Sequence, residues 1–398
     1  MTEIPITADS PTGVAISRTG LLFAGLGLVA LALPLVQFKP NRIVLGEGIS
    51  LTAALGPPGW VVLLGLAVAL LIGVTDRASL PIRLAIGVAG VAAAFLILGA
   101  AVRNLTPPDN NLARVSPAAG FWLLLLAFAL MMADALSRMR LSLRLRWLML
   151  AAVLAMLAAI LWSGWLDGVS VMREYAARQD LFHRESLRHL ILAFGSLGAA
   201  ILVGLPLGIL IYQVPRLKRA VLGVLNILQT IPSLAMFGLM IPLFGWVAAT
   251  VPGAASIGVA GIGIFPALVA LFLYSLLPVV SNTVVGLNGV SPATKEAAYG
   301  LGMTDAQVLG QVLIPLALPV LLAAVRIVLV QNIGLAVIAG LIGGGGYGTF
   351  VFQGLNQTAM DLVLLGALPT IALALTAGIA LDLLVEALDH RKRRRDAP

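Results

Sequence analysis

Long apolar runs alternate with short polar ones along most of the chain, and ten of the runs approach membrane length: 20–36, 60–74, 84–102, 118–135, 147–165, 190–212, 222–243, 265–287, 316–342 and 362–388. A bilayer core is crossed by about 20 helical residues, and only helices or closed barrels satisfy their backbone there. The expected fold is therefore all-α, a polytopic helical membrane protein with about ten transmembrane helices. The first five runs carry few polar groups. The last five are interrupted by Pro206, Asn226, Gln229, Thr230, Pro232, Pro242, Pro266 and Pro278. A proline inside a membrane helix frees a carbonyl that neighbours or water must satisfy, so such helices tend to line something. This contrast puts a domain boundary within the charged segment 167–188. The chain then divides into a polar tail (1–19), a five-span membrane extension (20–166), the charged segment on the external side (167–188), a second five-span domain (189–388) and a basic tail (389–398). The first run is read as an uncleaved anchor, since a single Arg18 precedes it and no A-x-A site follows.

One stretch between the eighth and ninth runs breaks the pattern, SPATKEAAYGLGMTDAQVLGQVLIPLALP, from Ser291 to Pro319. Ser291 is a good N-cap and Pro292 a good first helical residue, so a helix is expected to run toward Gly300 and stop at Gly302. Thr304 should cap a second helix, with Gln307 completing a capping box and Pro315 closing it. The expected product is two short helices joined at a glycine elbow.

Composition excludes a soluble fold and several chemistries. Hydrophobic residues make up 60% of the chain and charged ones 11%, with a mean hydropathy of +1.05. The net charge of +8 does not point to nucleic acid, because the basic residues sit in short loops and in the tail. With a cytoplasmic N-terminus and ten spans, Arg18, Arg77, Arg83, Arg138, Arg140, Arg144, Arg146, Arg216, Lys218, Arg219, Lys295 and the run from Arg391 to Arg395 all fall inside. Fewer basic residues fall outside, as the positive-inside rule requires, and both termini and the elbow become cytoplasmic. Cysteine is absent, which removes thiol and cysteine–metal chemistry.

Glu296, Ala297, Ala298, Gly302, Val312, Ile314 and Pro315 resemble the EAA loop of inner-membrane permease subunits of ABC importers, with Val312 and Ile314 replacing the usual Ile and Leu. The resemblance implies a type I importer permease domain whose elbow is a coupling helix docking on separate ABC ATPase subunits. Alanines allow close approach, Glu296 offers a charged contact, and Gly302 permits the turn. The runs LNILQTIPSLAMFGLMIPLFG, FPALVALFLYSLLPVVSNT and NIGLAVIAGLIGGGGYGTFVFQGL are similar to permeases of osmoprotectant importers, which take up glycine betaine, choline, carnitine or proline betaine. That likeness covers roughly residues 186–390 and leaves the five N-terminal spans outside it. It further implies an extracytoplasmic binding protein and a second permease subunit, identical or related.

Asn226, Gln229, Thr230, Pro232, Ser233, Asn282 and Asn332 are candidates for the translocation pathway, because small polar groups beside a kinked helix offer hydrogen bonds at membrane depth. For Gln229, Thr230, Pro232 and Ser233 a helix-to-helix bonding role is an equal alternative. Arg326 lies within a span, where a paired or interface-facing guanidinium is expected. Gly343 to Gly346 is not a phosphate loop, since no Gly-Lys pair occurs anywhere in the chain; it is read as a flexible or re-entrant external segment. ATP hydrolysis is thus assigned to a partner and no cofactor to this chain. His183, His189 and His390 form no evident ligand set. Aromatic residues, 6% of the chain, are scattered along it and suggest no cage for a quaternary ammonium. Two readings compete with an osmoprotectant permease: an ABC permease for another small solute such as an amino acid, and an ion-coupled secondary transporter. Against the latter, Asp134, Asp382 and Glu386 all sit near span ends.

Overall fold

A computed structural model describes residues 17–41, 45–75, 79–106, 112–139 and 141–395, with side chains to residue 388. The polar tail before Ser17, Arg42, Arg77 and Arg140 lie outside the described residues, as do the side chains of the terminal basic run. The chain separates into two compact units, Met1–Arg173 and Glu174–Pro398.

The first unit contains α1 (Arg18–Ala32), β1 (Val36–Lys39), β2 (Glu47–Ile49), α2 (Leu51–Leu55), α3 (Pro58–Val74), α4 (Leu80–Leu105), β3 (Arg114–Pro117), α5 (Ala119–Arg138) and α6 (Leu143–Trp162), and the boundary at Arg173 falls within α7 (Ser170–Ala176). Its core centres on Leu70, Leu124, Phe121 and Phe128. No residue of α6 is buried, as suits a helix clad in lipid. The three strands, which periodicity did not reveal, form an antiparallel sheet in the order β2-β1-β3. The first apolar run consequently ends at Ala32, four residues early, because Leu35 and Val36 are taken into this sheet, with Val36 opposite Ile49 and Pro117.

The second unit contains α8 (Gln179–Leu190), α9 (Ser196–Gln213), α10 (Pro215–Thr230), α11 (Ser233–Thr250), α12 (Ile264–Asn288), α13 (Pro292–Gly300), α14 (Asp305–Gln307), α15 (Ile314–Leu335), α16 (Gly348–Asn356) and α17 (Met360–Arg395). Among the described residues eight helices are long and apolar enough to cross a membrane, and α1 and α3 are shorter apolar ones. These account for the ten runs, with four changes of detail.

The charged segment 167–188 is largely helical, and its second half is continuous with the sixth span: a π-helical turn, Ile191–Gly195, joins α8 to α9 in one 35-residue helix, Gln179–Gln213. The seventh run is two helices, because Pro232 has no N–H to continue α10 and the chain turns extended at Ile231 before α11. Pro315 does not close the helix begun at Thr304. The π-helical turn Val308–Leu313 re-registers the backbone, so Pro315 falls in the first turn of α15, where its missing N–H costs little. The ninth span stops at Leu335, and Ile338–Ile342 is a separate 3₁₀ turn.

Candidate functional site

The elbow forms as its caps dictate. The Ser291 hydroxyl accepts from Thr294 N at 3.2 Å, and Thr304 and Gln307 exchange both bonds of a capping box. Gly302 turns the chain at φ +81°, a region costing a side-chain-bearing residue roughly 1–2 kcal/mol. One face of α13 is open: Glu296 and Ala297 are exposed, Tyr299 is 50% exposed and Leu301 83%. The opposite face buries Ala298 against Leu287, Val290, Val308 and Leu313, with Leu205, Ile209 and Tyr212 of α9 at the margin. Val312 and Ile314 pack partly buried into that cluster, and Pro315 is exposed. Two polar struts hold the angle. The Tyr299 hydroxyl donates to Asp305 Oδ1 at 2.9 Å, and Lys295 Nζ donates to the Tyr212 hydroxyl at 3.0 Å. That bond to Asp305 raises the Tyr299 phenol above its ordinary pKa. All seven residues of the loop pattern thus fall on one elbow, most of whose surface is unoccupied by this chain.

The seven pathway candidates do not come together. Gln229, Thr230, Pro232 and Ser233 gather at the α10–α11 break, whereas Asn226 lies exposed farther back on α10. The break is bracketed by α12. Pro278 cannot donate to the Tyr274 carbonyl four residues earlier, and the Gln229 amide supplies the missing bond at 3.0 Å. The Tyr274 hydroxyl in turn donates to the Ile231 carbonyl left at the end of α10. Thr230 donates to Ile227 O and Asn282 to Pro278 O, both locally. Asn332 is wholly buried and joins three helices: its amide donates to Ser196 Oγ and Ser275 Oγ, each at 2.8 Å. Within this chain Gln229 and Asn332 both make helix-to-helix bonds.

The Gln229–Pro278 relation predicts a non-additive pair. Gln229→Leu should cost about 1 kcal/mol by stranding the Tyr274 carbonyl. With Pro278→Ala, residue 278 regains an N–H and the same change should cost close to nothing. A double-mutant cycle on thermal unfolding in detergent checks this.

Arg326 is paired, its guanidinium bonded to the Asp382 carboxylate between α15 and α17. The glycine run is packed over most of its length. Gly344 to Gly348 is buried, and Gly346 N donates to Glu185 Oε2 at 2.7 Å. Glu185 (3% exposed) also accepts from Arg188 at 3.0 Å, while His189, wholly buried, stacks on Tyr347 with centroids 4.6 Å apart. Four of the unit's aromatic residues and two histidines nevertheless converge here: Tyr175, Phe182, Tyr347 and Phe350 with His183 and His189. Their centroids stand 4.6–6.3 Å apart, packed on one another, which leaves no room for a trimethylammonium between rings. Sequence spacing could not reveal this cluster, whose members lie on α7, α8 and α16. Its one legible signal was the glycine run, since only glycine lets a backbone lie this close to a helix.

Comparison with known proteins follows the same division. The model for the "ABC transporter permease YehY, N-terminal domain" matches residues 17–172, and that for the "binding-protein-dependent transport system inner membrane component" matches 200–394. The osmoprotectant import permease protein OsmW of Salmonella typhimurium is 42% identical over 203 residues, 51% of this chain and 87% of the relative. The carnitine transport permease protein OpuCB of Listeria monocytogenes is 38% identical, over 50% and 83%. Among solved structures, a chain of the inward-facing MetNI methionine ABC transporter aligns with TM-score 0.46 and 26% identity, covering 53% of this chain and 97% of that one. The chain belongs to the binding-protein-dependent transport system inner membrane component family, the multi-pass permease subunits of ABC importers.

Proposed function

We propose that this permease moves an osmoprotectant, a small quaternary amine such as glycine betaine, choline or carnitine, inward across the membrane. A separate pair of ATPases supplies the energy, and a separate extracytoplasmic protein delivers the solute. The observation that carries the reading is the elbow from Ser291 to Pro315, capped at both helices and open along Glu296, Ala297, Tyr299 and Leu301. A rigid, exposed, mildly apolar helix of this kind suits a groove on a partner protein. The names of the relatives, osmoprotectant, carnitine and choline permeases, support the substrate class. Each chain offers one such elbow and ATPases of this type act as pairs, so the transporter holds two permease subunits. The elbow and both termini face the cytoplasm, where the basic loops of this chain concentrate.

Closure of the ATPases on ATP would drive the two elbows together and open the conduit outward; release would return it inward. Reconstitution with its ATPase and binding protein in liposomes tests this with labelled glycine betaine, choline, carnitine and an amino acid. Uptake of a quaternary amine should require ATP, and Glu296→Lys should lower it at least ~10-fold, the equivalent of about 1.4 kcal/mol of lost coupling, with insertion unchanged. Uptake driven by a sodium or proton gradient without ATP would instead establish the secondary-transporter reading.

A further inference from the structure

The 35-residue helix Gln179–Gln213 makes a polar side-chain contact toward each of its ends. Near its last turn the Tyr212 hydroxyl accepts from Lys295 Nζ of the elbow at 3.0 Å, and the same ammonium lies 5.4 Å from the Tyr212 ring centroid. Near its first turns Glu185 accepts from Gly346 N, and His189 Nδ1 faces Tyr347 N at 3.4 Å. At 1.5 Å per residue the helix is about 52 Å long, enough to carry a displacement from one face of a bilayer to the other.

The connections of α13 sharpen the point. Its ends lead covalently into α12 and, through the Gly302 turn, into α14 and α15. Tyr299–Asp305 only braces that turn from within. Lys295–Tyr212 is the polar side-chain contact by which α13 reaches a helix not next to it in sequence. The helix it reaches is seated closely on α12: a β-carbon at Gly208 would lie 2.6 Å from Thr283 Cβ, and one at Gly204 2.9 Å from Val279 Cγ1. Such a small-residue seam lets the two helix backbones approach closely and move together. The rod has two points of yield along it, Pro206 and the π-helical turn Ile191–Gly195.

We propose that Lys295 and Tyr212 are positioning residues that tie the elbow to this rod, so that movement of the elbow is delivered to the Gly343–Gly346 turn held by Glu185 at the other end. The inference rests on the coupling role proposed for the elbow and adds the route taken beyond it. Lys295 supplies a charge-assisted donor and Tyr212 the hydroxyl oxygen that accepts it. An arginine at 295 keeps the donor; a methionine keeps only the packing.

The test uses the full transporter in liposomes with its ATPase and binding protein. Solute uptake per ATP hydrolysed is measured in wild type, Lys295→Met, Lys295→Arg and Tyr212→Phe. The chain has no cysteine, so Leu355→Cys, exposed at the end of α16, serves as a clean reporter, labelled with a membrane-impermeant maleimide with and without nucleotide. In wild type, nucleotide should change the labelling rate. Lys295→Met and Tyr212→Phe should keep ATP hydrolysis within about twofold, lose at least ~10-fold in uptake per ATP and lose the nucleotide-dependent labelling change. Lys295→Arg should restore both. Unaltered uptake per ATP and labelling in Lys295→Met and Tyr212→Phe, beside a wild type that works, would overturn the inference while leaving the coupling role intact. A wild type that takes up solute without ATP would overturn that role itself. A variant that merely folds poorly would lose hydrolysis and uptake together at an unchanged ratio, which also counts against the inference.

Discussion

Gly302→Val should abolish uptake while the protein is still made and inserted. The turn is held at φ +81°, where a β-branched residue is strained by roughly 1–2 kcal/mol. No atom of the chain lies within 4 Å of an added Cβ, so the cost is local and conformational rather than a clash. The elbow can relieve it only by changing φ, and that re-aims α13 relative to α14 and breaks the register of Gly302 N on Tyr299 O and Met303 N on Ala298 O. A strain of this size is small beside the buried contacts of the unit, so thermal stability in detergent should fall by only a few degrees. Transmission of force has no such reserve, since the exposed residues Glu296 and Leu301 would no longer present the same surface. Uptake should fall at least tenfold with expression near wild type. Uptake near the wild-type rate in Gly302→Val would mean that the elbow angle does not matter.

A different glycine should act on the fold itself. Gly348 begins α16 with an ordinary φ, yet a β-carbon there would stand 1.8 Å from the Val337 carbonyl oxygen and 2.7 Å from its carbon. Both are backbone atoms, and neither can rotate away. Gly348→Ala should therefore displace the 3₁₀ turn Ile338–Ile342 or α16 and cost about 3 kcal/mol, at the upper end for overpacking a well-filled core. Gly198→Ala is the matched comparison: it lies in α9 with nothing within 4 Å of its Cβ, and a helical Gly→Ala change there should be neutral or slightly stabilising. Thermal unfolding of the two variants in one detergent should separate them by several degrees. Equal midpoints would mean that the α16 contact yields more readily than two backbones in van der Waals overlap can.

The parts of this structure legible in sequence are those set by local chemistry. Ser291, Thr304 and Gln307 fix helix starts through bonds spanning three residues, and the apolar runs fix spans through length alone, so both appear where the spacing puts them. The effect of a proline depends on the flanking backbone. Pro232, expected as a kink within one span, breaks its run because the chain leaves helical geometry at Ile231, whereas Pro315, expected as a stop, continues the helix because a π-helical turn upstream absorbs its missing N–H. What sequence could not give is pairing at a distance. That Gln229 serves the carbonyl freed by Pro278, that Asn332 joins Ser196 to Ser275, and that Glu185 holds Gly346 depend on which helices lie side by side. The small sheet was hidden for a related reason: its strands are three or four residues long and carry too few alternations to register.

The central claim, that the open face of α13 is where an ATPase meets this chain, is tested most directly by cross-linking. Ala297→Cys introduces one thiol into a chain that has none, on the exposed face beside Glu296. With a short bifunctional thiol reagent in membranes containing the cognate ATPase bearing single cysteines around its docking groove, a permease–ATPase adduct should form and its yield should change with ATP. Labelling of that thiol by an impermeant reagent from the extracytoplasmic side, with no adduct at any groove position, would contradict the account.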